Sequence, residues 1–544
     1  MDKWWKKAVF YEIYMPSFCD GNGDGIGDFI GITSKLDYLS DLGIGGIWLT
    51  PFYQSPKVDN GYDISDYYAV DPDYGTMADF EHFLKEAHRR NMKVIVDIVL
   101  NHTSSEHKWF QESRSSKDHP KRDWYIWKNP VDGKEPNNWE SFMGSSAWKF
   151  DEKTGQYYYH GFAEKQVDLN WANPEVKQAM FDVMKFWLDK GVDGFRLDVI
   201  NHLTLNTSFP NNPIDQETKQ QIHLYDKDQE GILDVIKEIS AFVHAYPNKF
   251  LVGEVGSEDL TVLKEYCGKD KLDVVFQFNL GSIPTLDVKN IYKQLVDMDN
   301  EYREDQIPTL FFGSHDMSRF ISRFAAEGYE EEVAKLMATL MLTAKGVPFI
   351  YFGDEIGMRD LVIDDISKMK DVQGVIAYQL AIDAGKNESE ALAEANRNGR
   401  DSSRSPMQWA STKYFGFSKV EPWISLPDNN VTVENQLENP ESMLSFYRKL
   451  IELRKKIPAL SVGNYIQLQE KNNQLMYERK YEDSTVMVYL NFNEERTKVS
   501  LDENCNVLLS SRRSSILSEQ SLDILPYEAI IVEKKEVEPR VHSK

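Results

Sequence analysis

The sequence predicts an α/β protein: a (β/α)8 barrel of the TIM type, with a subdomain inserted after the third strand and an antiparallel β domain at the C-terminal end. Three observations lead there. Strand-like and helix-like runs alternate through most of the chain, as a parallel α/β fold requires. Three strand-like runs end on an acid: Asp198 in Gly-Phe-Arg-Leu-Asp-Val-Ile, Glu254 in Phe-Leu-Val-Gly-Glu-Val, and Asp316 in Thr-Leu-Phe-Phe-Gly-Ser-His-Asp. After residue 462 the texture changes to short alternating runs such as 474–479 and 486–491.

Residues 8–14 read as the first strand. Residues 31–42 have helical spacing, with Ile32, Leu36, Leu39 and Leu42 on one stripe. A short apolar run at 46–50 is the second strand, and 76–91 is an amphipathic helix. Residues 93–100 contain Val-Ile-Val-Asp-Ile-Val, a β-branched run suited to a strand buried on both faces. The alternation stops from 103 to 167, which is rich in Trp, Tyr, Lys, Ser, Asp and Pro and has no long helix. A stretch of that length is too long for a plain loop. Asn173-Pro174 restarts the pattern as an N-cap and first-turn pair, followed by a helix to Lys190 and the strand carrying Asp198. Strands at 250–255, 274–279, 309–315 and 349–352 complete a set of eight. Residues 359–404 form a polar, helix-prone excursion before a closing helix near 443–454. The ranges are therefore 1–102 and 168–462 for the barrel, 103–167 for the insertion and 463–544 for the β domain. The tail 534–544 is charged and expected to fray.

At 544 residues the chain exceeds one ordinary core, and 41% hydrophobic residues supply ample material for a large one. A formal net charge of -25 argues against nucleic acid and anionic membrane as partners, since both need basic patches. Cys19, Cys267 and Cys505 are odd in number and far apart, so neither a disulfide framework nor metal-type spacing is expected. A reducing compartment follows. The opening Met-Asp-Lys-Trp-Trp-Lys-Lys lacks a signal-peptide pattern. No run reaches the roughly 18 apolar residues of a membrane span. The expectation is a cytoplasmic protein, with a monomer favoured.

The C-terminal strand ends of a parallel barrel share one face where chemistry is done. Three acids on that face suggest acid and nucleophile work on a glycosidic bond, for which a retaining enzyme places two carboxyls roughly 5 Å apart. Arg196, two residues before Asp198 on the same strand face, is expected to hold that carboxyl ionised. The apolar neighbours Leu251, Val252 and Val255 are expected to raise Glu254.

In order along the chain stand Asp97-Ile-Val-Leu-Asn-His102, Gln166-Val-Asp-Leu-Asn170, Gly194-Phe-Arg-Leu-Asp198-Val, Gly253-Glu254-Val and Ser314-His315-Asp316. This ordered set resembles glycoside hydrolase family 13, the α-amylase family, in its α-glucosidase branch near oligo-1,6-glucosidases, over nearly the whole chain. The resemblance implies Asp198 as nucleophile, Glu254 as acid/base and Asp316 as the acid that grips the sugar and stabilises the transition state. It implies His102 and His315 as pocket histidines, with Gln166 and Arg196 beside them. Asp59 and Tyr62 would close the pocket on a terminal glucose, and Arg400 would hold the same hydroxyls; Arg404 is expected to be structural. A closed pocket implies exo-action on short oligosaccharides. Val199, directly after the nucleophile, accompanies action on α-1,6 bonds in this family. No organic cofactor is implied.

Asp20-Gly-Asn22-Gly-Asp24-Gly-Ile26-Gly-Asp28 puts oxygen donors on alternate positions with glycines for tight turns, as a hard cation requires. The resemblance implies a structural Ca2+, or Mg2+, on Asp20, Asn22, Asp24, the Ile26 carbonyl and Asp28. The chain departs from the branch in Gly313-Ser314 and Met317-Ser318, in a short 279–307 segment, and in Met143 near a position where Phe is common. Trehalose-6-phosphate hydrolases, α-1,4-preferring α-glucosidases, transglucosylases and sucrose isomerases share the same acids. Amino-acid transporter heavy chains carry a glucosidase-like domain without chemistry, but with a membrane helix and incomplete acids.

Overall fold

The computed structural model describes residues 3–501, 504–513 and 521–534. Eight parallel strands form the predicted barrel: β1 (Phe10–Ile13), β2 (Gly46–Leu49), β3 (Lys93–Ile98), β4 (Gly194–Leu197), β5 (Phe250–Gly253), β6 (Val274–Val275), β7 (Thr309–Leu310) and β8 (Val347–Tyr351). Ladders run β6-β5-β4-β3-β2-β1-β8-β7. The remaining seam, between β6 and β7, is joined through a side chain. The buried Thr309 hydroxyl accepts the Gln277 amide at 2.9 Å and donates to the Val275 carbonyl at 3.1 Å. Both seam strands are only two residues long, shorter than the runs 274–279 and 309–315 suggested.

Strand side chains alternate between faces, so inward positions two apart stack into layers. Phe10 and Glu12 follow one another on β1, Ile95 and Asp97 on β3, and Gly194 and Arg196 on β4. The lower layer is apolar: Phe10 stacks on Phe349 at 4.7 Å and on Phe250 at 5.0 Å between ring centroids. The upper layer is polar. Register sets Arg196 beside Asp97 across the β3–β4 pair and Leu197 beside Gly253 across β4–β5. Gly194 lets those strands close up, because an added Cβ would run into the Phe250 carbonyl and the φ of 149° is hostile to any side chain.

Helices surround the barrel with ordinary caps. Met77–Arg89 begins with a Thr76–Asp79 capping box. Pro174–Lys190 is capped by Asn173 and ends at left-handed Gly191. The stripe at 31–42 is two helices, Phe29–Ser34 and Leu36–Leu42. Thr33 and Ser34 turn their hydroxyls back onto the Phe29 and Gly31 carbonyls, a local competition that suits a break at Lys35.

The insertion holds a short helix, Lys108–Ser115, and a three-stranded antiparallel sheet of Trp127–Lys128, Gln156–Tyr159 and Trp148–Asp151. It returns to the barrel by pairing Gln166–Asp168 antiparallel with His102–Ser104. The 359–404 excursion supplies helices Val372–Asp383 and Glu388–Asn398. Helix Met443–Lys456 closes the barrel, and an antiparallel five-stranded sheet follows, built from Asn464–Lys471, Gln474–Tyr481, Ser484–Asn491, Ala529–Lys534 and Cys505–Ser510. The expected frayed tail beyond 534 lies outside the described residues. Among the described residues no helix is long and apolar enough to cross a membrane.

Candidate active site

Asp198 and Glu254 each stand one residue beyond a barrel strand, β4 and β5. Neighbouring parallel strands in register bring their carboxyls to one guanidinium. Arg196 Nη1 donates to Asp198 Oδ1 at 2.7 Å and to Asp97 at 3.0 and 3.1 Å, and Nη2 donates to Glu254 Oε2. Arg196 is buried under the rings of Trp48 and Tyr62, 5.0 and 5.7 Å from their centroids. Asp97 also accepts from Tyr62 Oη at 2.8 Å and Trp48 Nε1 at 3.2 Å.

Three carboxyls around one cation leave negative charge in excess in a desolvated place. Burial raises Glu254 to about 8, with Arg196 opposing and Asp198 adding to the rise. Burial likewise raises Asp198 to about 7 against the pull of Arg196. The expectation that Arg196 would hold Asp198 low is therefore corrected: desolvation and the neighbouring acids outweigh it. Both rise, so near neutral pH the pair keeps one proton.

Asp316 lies farther from its strand, six residues past the end of β7. Its Oδ1 is gripped by Arg400 Nη1 at 3.3 Å and Arg404 Nη2 at 3.2 Å. Burial alone would raise it; His315, Arg400 and Arg404 outweigh that and hold it below the ordinary carboxylate range. Arg404 thus touches an acid of the site as well as the His315 carbonyl, at 2.8 Å, rather than serving the scaffold alone. Burial raises Glu12 well above its usual value and lowers His315 to about 3. Glu12 Oε1 pairs with His315 Nδ1, and His315 Nε2 faces Tyr62 Oη at 2.9 Å and Asp316 Oδ2 at 3.2 Å.

The remaining predicted residues meet around Asp59 and Gln166. Gln166 Nε2 donates to Asp59 Oδ2 at 2.9 Å and lies 3.3 Å from His102 Nε2. His102, which burial lowers to about 4 and leaves neutral, faces the Tyr62 carbonyl at 3.1 Å. Arg400 Nη2 reaches Asp59 Oδ1 at 2.6 Å. Asp371, fully buried at the start of helix Val372–Asp383, fixes Arg400 through contacts of 2.5 and 3.1 Å. Val199 lines the cavity in the left-handed region, φ 37° and ψ 48°, a conformation a β-branched residue rarely adopts. Its amide points at Glu254 Oε2, 3.3 Å away.

All three acids, with Asp59, Tyr62, His102, Gln166, Val199 and Arg400, line one cavity of about 190 Å3. Arg196 and His315 lie directly beneath, around a smaller hollow. Sequence reasoning passed over Phe142, Phe162 and Gln373, which share the lining, and Asp371 and Glu12 behind it. Nothing local marks these residues; the fold alone brings them here.

The Asp20–Asp28 loop sits apart from this cavity. Asp20 accepts the Gly23 and Gly25 amides at 2.7 and 2.8 Å, and Asp28 accepts Gly21, Asn22 and Gly31. Asn22 and Asp24 bond to one another, and Asp24 accepts the Ile26 amide at 2.9 Å. Among the described residues no three acidic, histidine or cysteine side chains stand together as a metal-holding group.

Comparison with known proteins agrees with this geometry. The family described as "Alpha amylase, catalytic domain" matches residues 12–463. The oligo-1,6-glucosidase of Bacillus cereus is 38% identical over 98% of this chain and 100% of its own. The trehalose-6-phosphate hydrolase of Bacillus subtilis (strain 168) is also 38% identical, over 97% and 98%. The crystal structure of the trehalulose synthase from Pseudomonas mesoacidophila MX-45 superimposes with a TM-score of 0.91 at 35% identity, covering 98% of this chain and 99% of that one. With the barrel, the strand-end acids and these relatives in agreement, the chain belongs to the α-amylase family, glycoside hydrolase family 13, and is a glycosidase.

Proposed function

We propose that this chain is a retaining, exo-acting α-glucosidase that releases terminal glucose from short α-linked gluco-oligosaccharides, α-1,6 bonds foremost. The observation that carries the reading is the Asp198–Glu254 pair on Arg196, set in the lining of a small cavity. Ionised Asp198 attacks the anomeric carbon and forms a glucosyl ester as the glycosidic C–O bond breaks. Glu254 gives its proton to the leaving oxygen, then takes one from the water that attacks the same carbon and frees Asp198. Two inversions retain configuration. Asp316, held ionised by two arginines, takes hydroxyls of the reacting sugar. Asp59 and Arg400 take those of the non-reducing end, against Tyr62. A cavity of about 190 Å3 is below the roughly 300–1,000 Å3 of pockets for drug-sized ligands, which suits a single sugar ring.

Relatives named oligo-1,6-glucosidase, together with Val199, support the α-1,6 preference. The trehalose-6-phosphate hydrolase of similar identity makes a phosphorylated disaccharide the second reading. Of the described residues lining the cavity only Arg400 is cationic, and Asp59, Asp316 and Asp371 already engage it, which favours an unphosphorylated reacting sugar. Assays with isomaltose, maltose, sucrose, trehalose and trehalose 6-phosphate, with NMR of the first anomer released, test both readings. Isomaltose hydrolysed best with α-glucose released first is expected; turnover confined to trehalose 6-phosphate would replace the first reading by the second.

The reading includes a structural Ca2+ or Mg2+ in the Asp20–Asp28 loop. The all-oxygen donor set fits a hard cation, and Asp20, Asn22, Asp24, the Ile26 carbonyl and Asp28 would hold it. It would supply stability and no chemistry. Chelator should lower the wild-type melting temperature, and Asp24→Ala should lower it further and abolish the response to added cation. A melting temperature indifferent to both chelator and millimolar calcium would sink the idea. Three buried cysteines, far apart in the chain, suit a reducing compartment, and the cytoplasm is the proposed location.

A further inference from the structure

A second cleft lies where the C-terminal sheet meets the barrel and shares no lining residue with the active site. Its volume is about 780 Å3, within the roughly 300–1,000 Å3 usual for small-molecule sites. Helix Glu330–Thr343, the first half of helix Met443–Lys456, the turn 356–359 after β8, segment 430–442 and residues 510–513 line it. In a chain of net charge -25, five of its described lining residues are cations and three are carboxylates. A cleft with one predominant sign of charge concentrates ions of the other sign.

Three of the cations serve the fold. Arg513 is held by buried Glu528 at 2.7 and 2.8 Å, Arg512 by the Pro526 carbonyl at 2.7 Å and Glu332 at 3.3 Å, and Lys335 by Glu331 at 2.8 Å and the Glu441 carbonyl at 2.7 Å. The other two, Arg359 and Lys449, are exposed. Among the described residues Arg359 has no hydrogen bond or ion pair, and Lys449 meets only the Pro440 carbonyl, at 3.0 Å. The side-chain oxygens of Asn435 and Asn439 accept from Ser411 Oγ at 3.3 Å and the Glu441 amide at 3.0 Å, which leaves their Nδ2 donors open. Helix Met443–Lys456 adds the positive end of its dipole, with no acid in its first turn to offset it. Open cations and amide donors suit a phosphate. Glu441, exposed and with no cation on it among the described residues, would repel a bare phosphate but can accept protons from hydroxyls. The one aromatic residue in the described lining, Phe446, is buried, so no ring is presented for an oligosaccharide or a nucleobase to stack on.

We propose that this cleft is a second ligand site, separate from the catalytic one, that takes a small phosphorylated sugar. Arg359 and Lys449 hold the phosphate, and Asn435, Asn439 and Glu441 take the hydroxyls. The proposal stands independently of the substrate reading above. Because the cleft joins barrel and sheet, its occupant stabilises the two together.

The test is isothermal titration calorimetry of the full chain with glucose 6-phosphate, inorganic phosphate and glucose. Glucose 6-phosphate should bind one to one and tighter than either of the others, with an affinity that falls as salt rises. Combining Arg359→Ala with Lys449→Ala should raise its Kd at least about tenfold, and each single change should raise it less. Both side chains are exposed, so the melting temperature of the ligand-free protein and its glycosidase turnover should stay unchanged. Asp59→Ala, which disables the catalytic pocket, should leave the Kd for glucose 6-phosphate as it is. Equal affinities for glucose 6-phosphate and inorganic phosphate would overturn the sugar part of the assignment. A Kd that moves with Asp59→Ala and not with the Arg359 and Lys449 changes, or no binding of any of the three at millimolar concentration, would overturn the site.

Discussion

Arg196 lies beneath the sugar pocket among carboxyls, whereas Arg454 and Arg479 lie between the barrel and the C-terminal sheet among carbonyl oxygens. All three are buried. Arg454 donates to the Leu342, Leu460 and Gly346 carbonyls at 2.7–3.0 Å, and Arg479 to Thr343, Leu460 and Gly463 over the same range. Leu342 and Thr343 end helix Glu330–Thr343, and Leu460 belongs to the short helix Pro458–Val462. Helix C-termini leave carbonyls unpaired and carry partial negative charge, and a guanidinium answers both. At the domain junction the cation completes hydrogen bonds the backbone would otherwise lack. Under the pocket it meets more negative charge than it can neutralise, and the surplus keeps a proton on the Asp198–Glu254 pair. One arrangement favours stability and the other favours chemistry at some expense of stability.

The largest effect expected from breaking this contrast is on turnover. Asp198→Asn should cut kcat by roughly 10^5-fold or more, in the range seen when a nucleophile is removed, while folding is retained. Glu254→Gln should spare substrates with good leaving groups more than isomaltose, because only the latter needs strong protonation. Near-normal kcat in Asp198→Asn would refute the assignment.

At the junction the effect should fall on stability instead. Arg479→Met strips three carbonyls of a charged donor and should lower unfolding free energy by about 3 kcal/mol or more, with kcat per folded molecule unchanged. Denaturant unfolding beside active-site titration separates the two; a matching loss of kcat would merge the regions that the comparison keeps apart.

A pH series sharpens the difference. Activity needs Glu254 protonated and Asp198 ionised, so kcat/KM should rise as the pair loses its first proton near 7 and fall as it loses the second near 8. Stability has its own sign. Both folded-state values lie above the roughly 4 of an unfolded carboxyl, so the folded protein binds more protons. That contribution is present at low pH and is lost as pH rises through 7 to 8. Melting temperature should fall between about pH 5.5 and about pH 8.5, and less steeply in Asp198→Asn. Identical slopes would show the pair carries no such strain.

The smallest effect is on linkage. Val199→Ala removes methyls at the boundary between the reacting sugar and its leaving group, and should raise the maltose-to-isomaltose ratio of kcat/KM by several-fold, roughly what small changes in apolar contact produce. An unchanged ratio would place discrimination elsewhere on the rim.

The order and type of the elements were legible in the chain, because periodicity, caps and strand-end acids are local: Asn173-Pro174 starts a helix by its own geometry. So were Asp198, Glu254 and Asp316, each framed by its motif, and the pocket residues the resemblance implied all converge on them. Other features depend on sums over distant segments. The pKa of Asp198 depends on burial together with charges from β3, β4, β5 and the segment past β7, so Arg196 two residues away could not settle it. Asp371 and Arg404 come from a polar excursion that reads as surface until its helices seat Arg400 against Asp59 and Asp316. The β6–β7 seam rests on one threonine that neither strand's own pattern marks. Local pattern determines what a segment becomes; desolvation and long-range contact decide what its side chains can do.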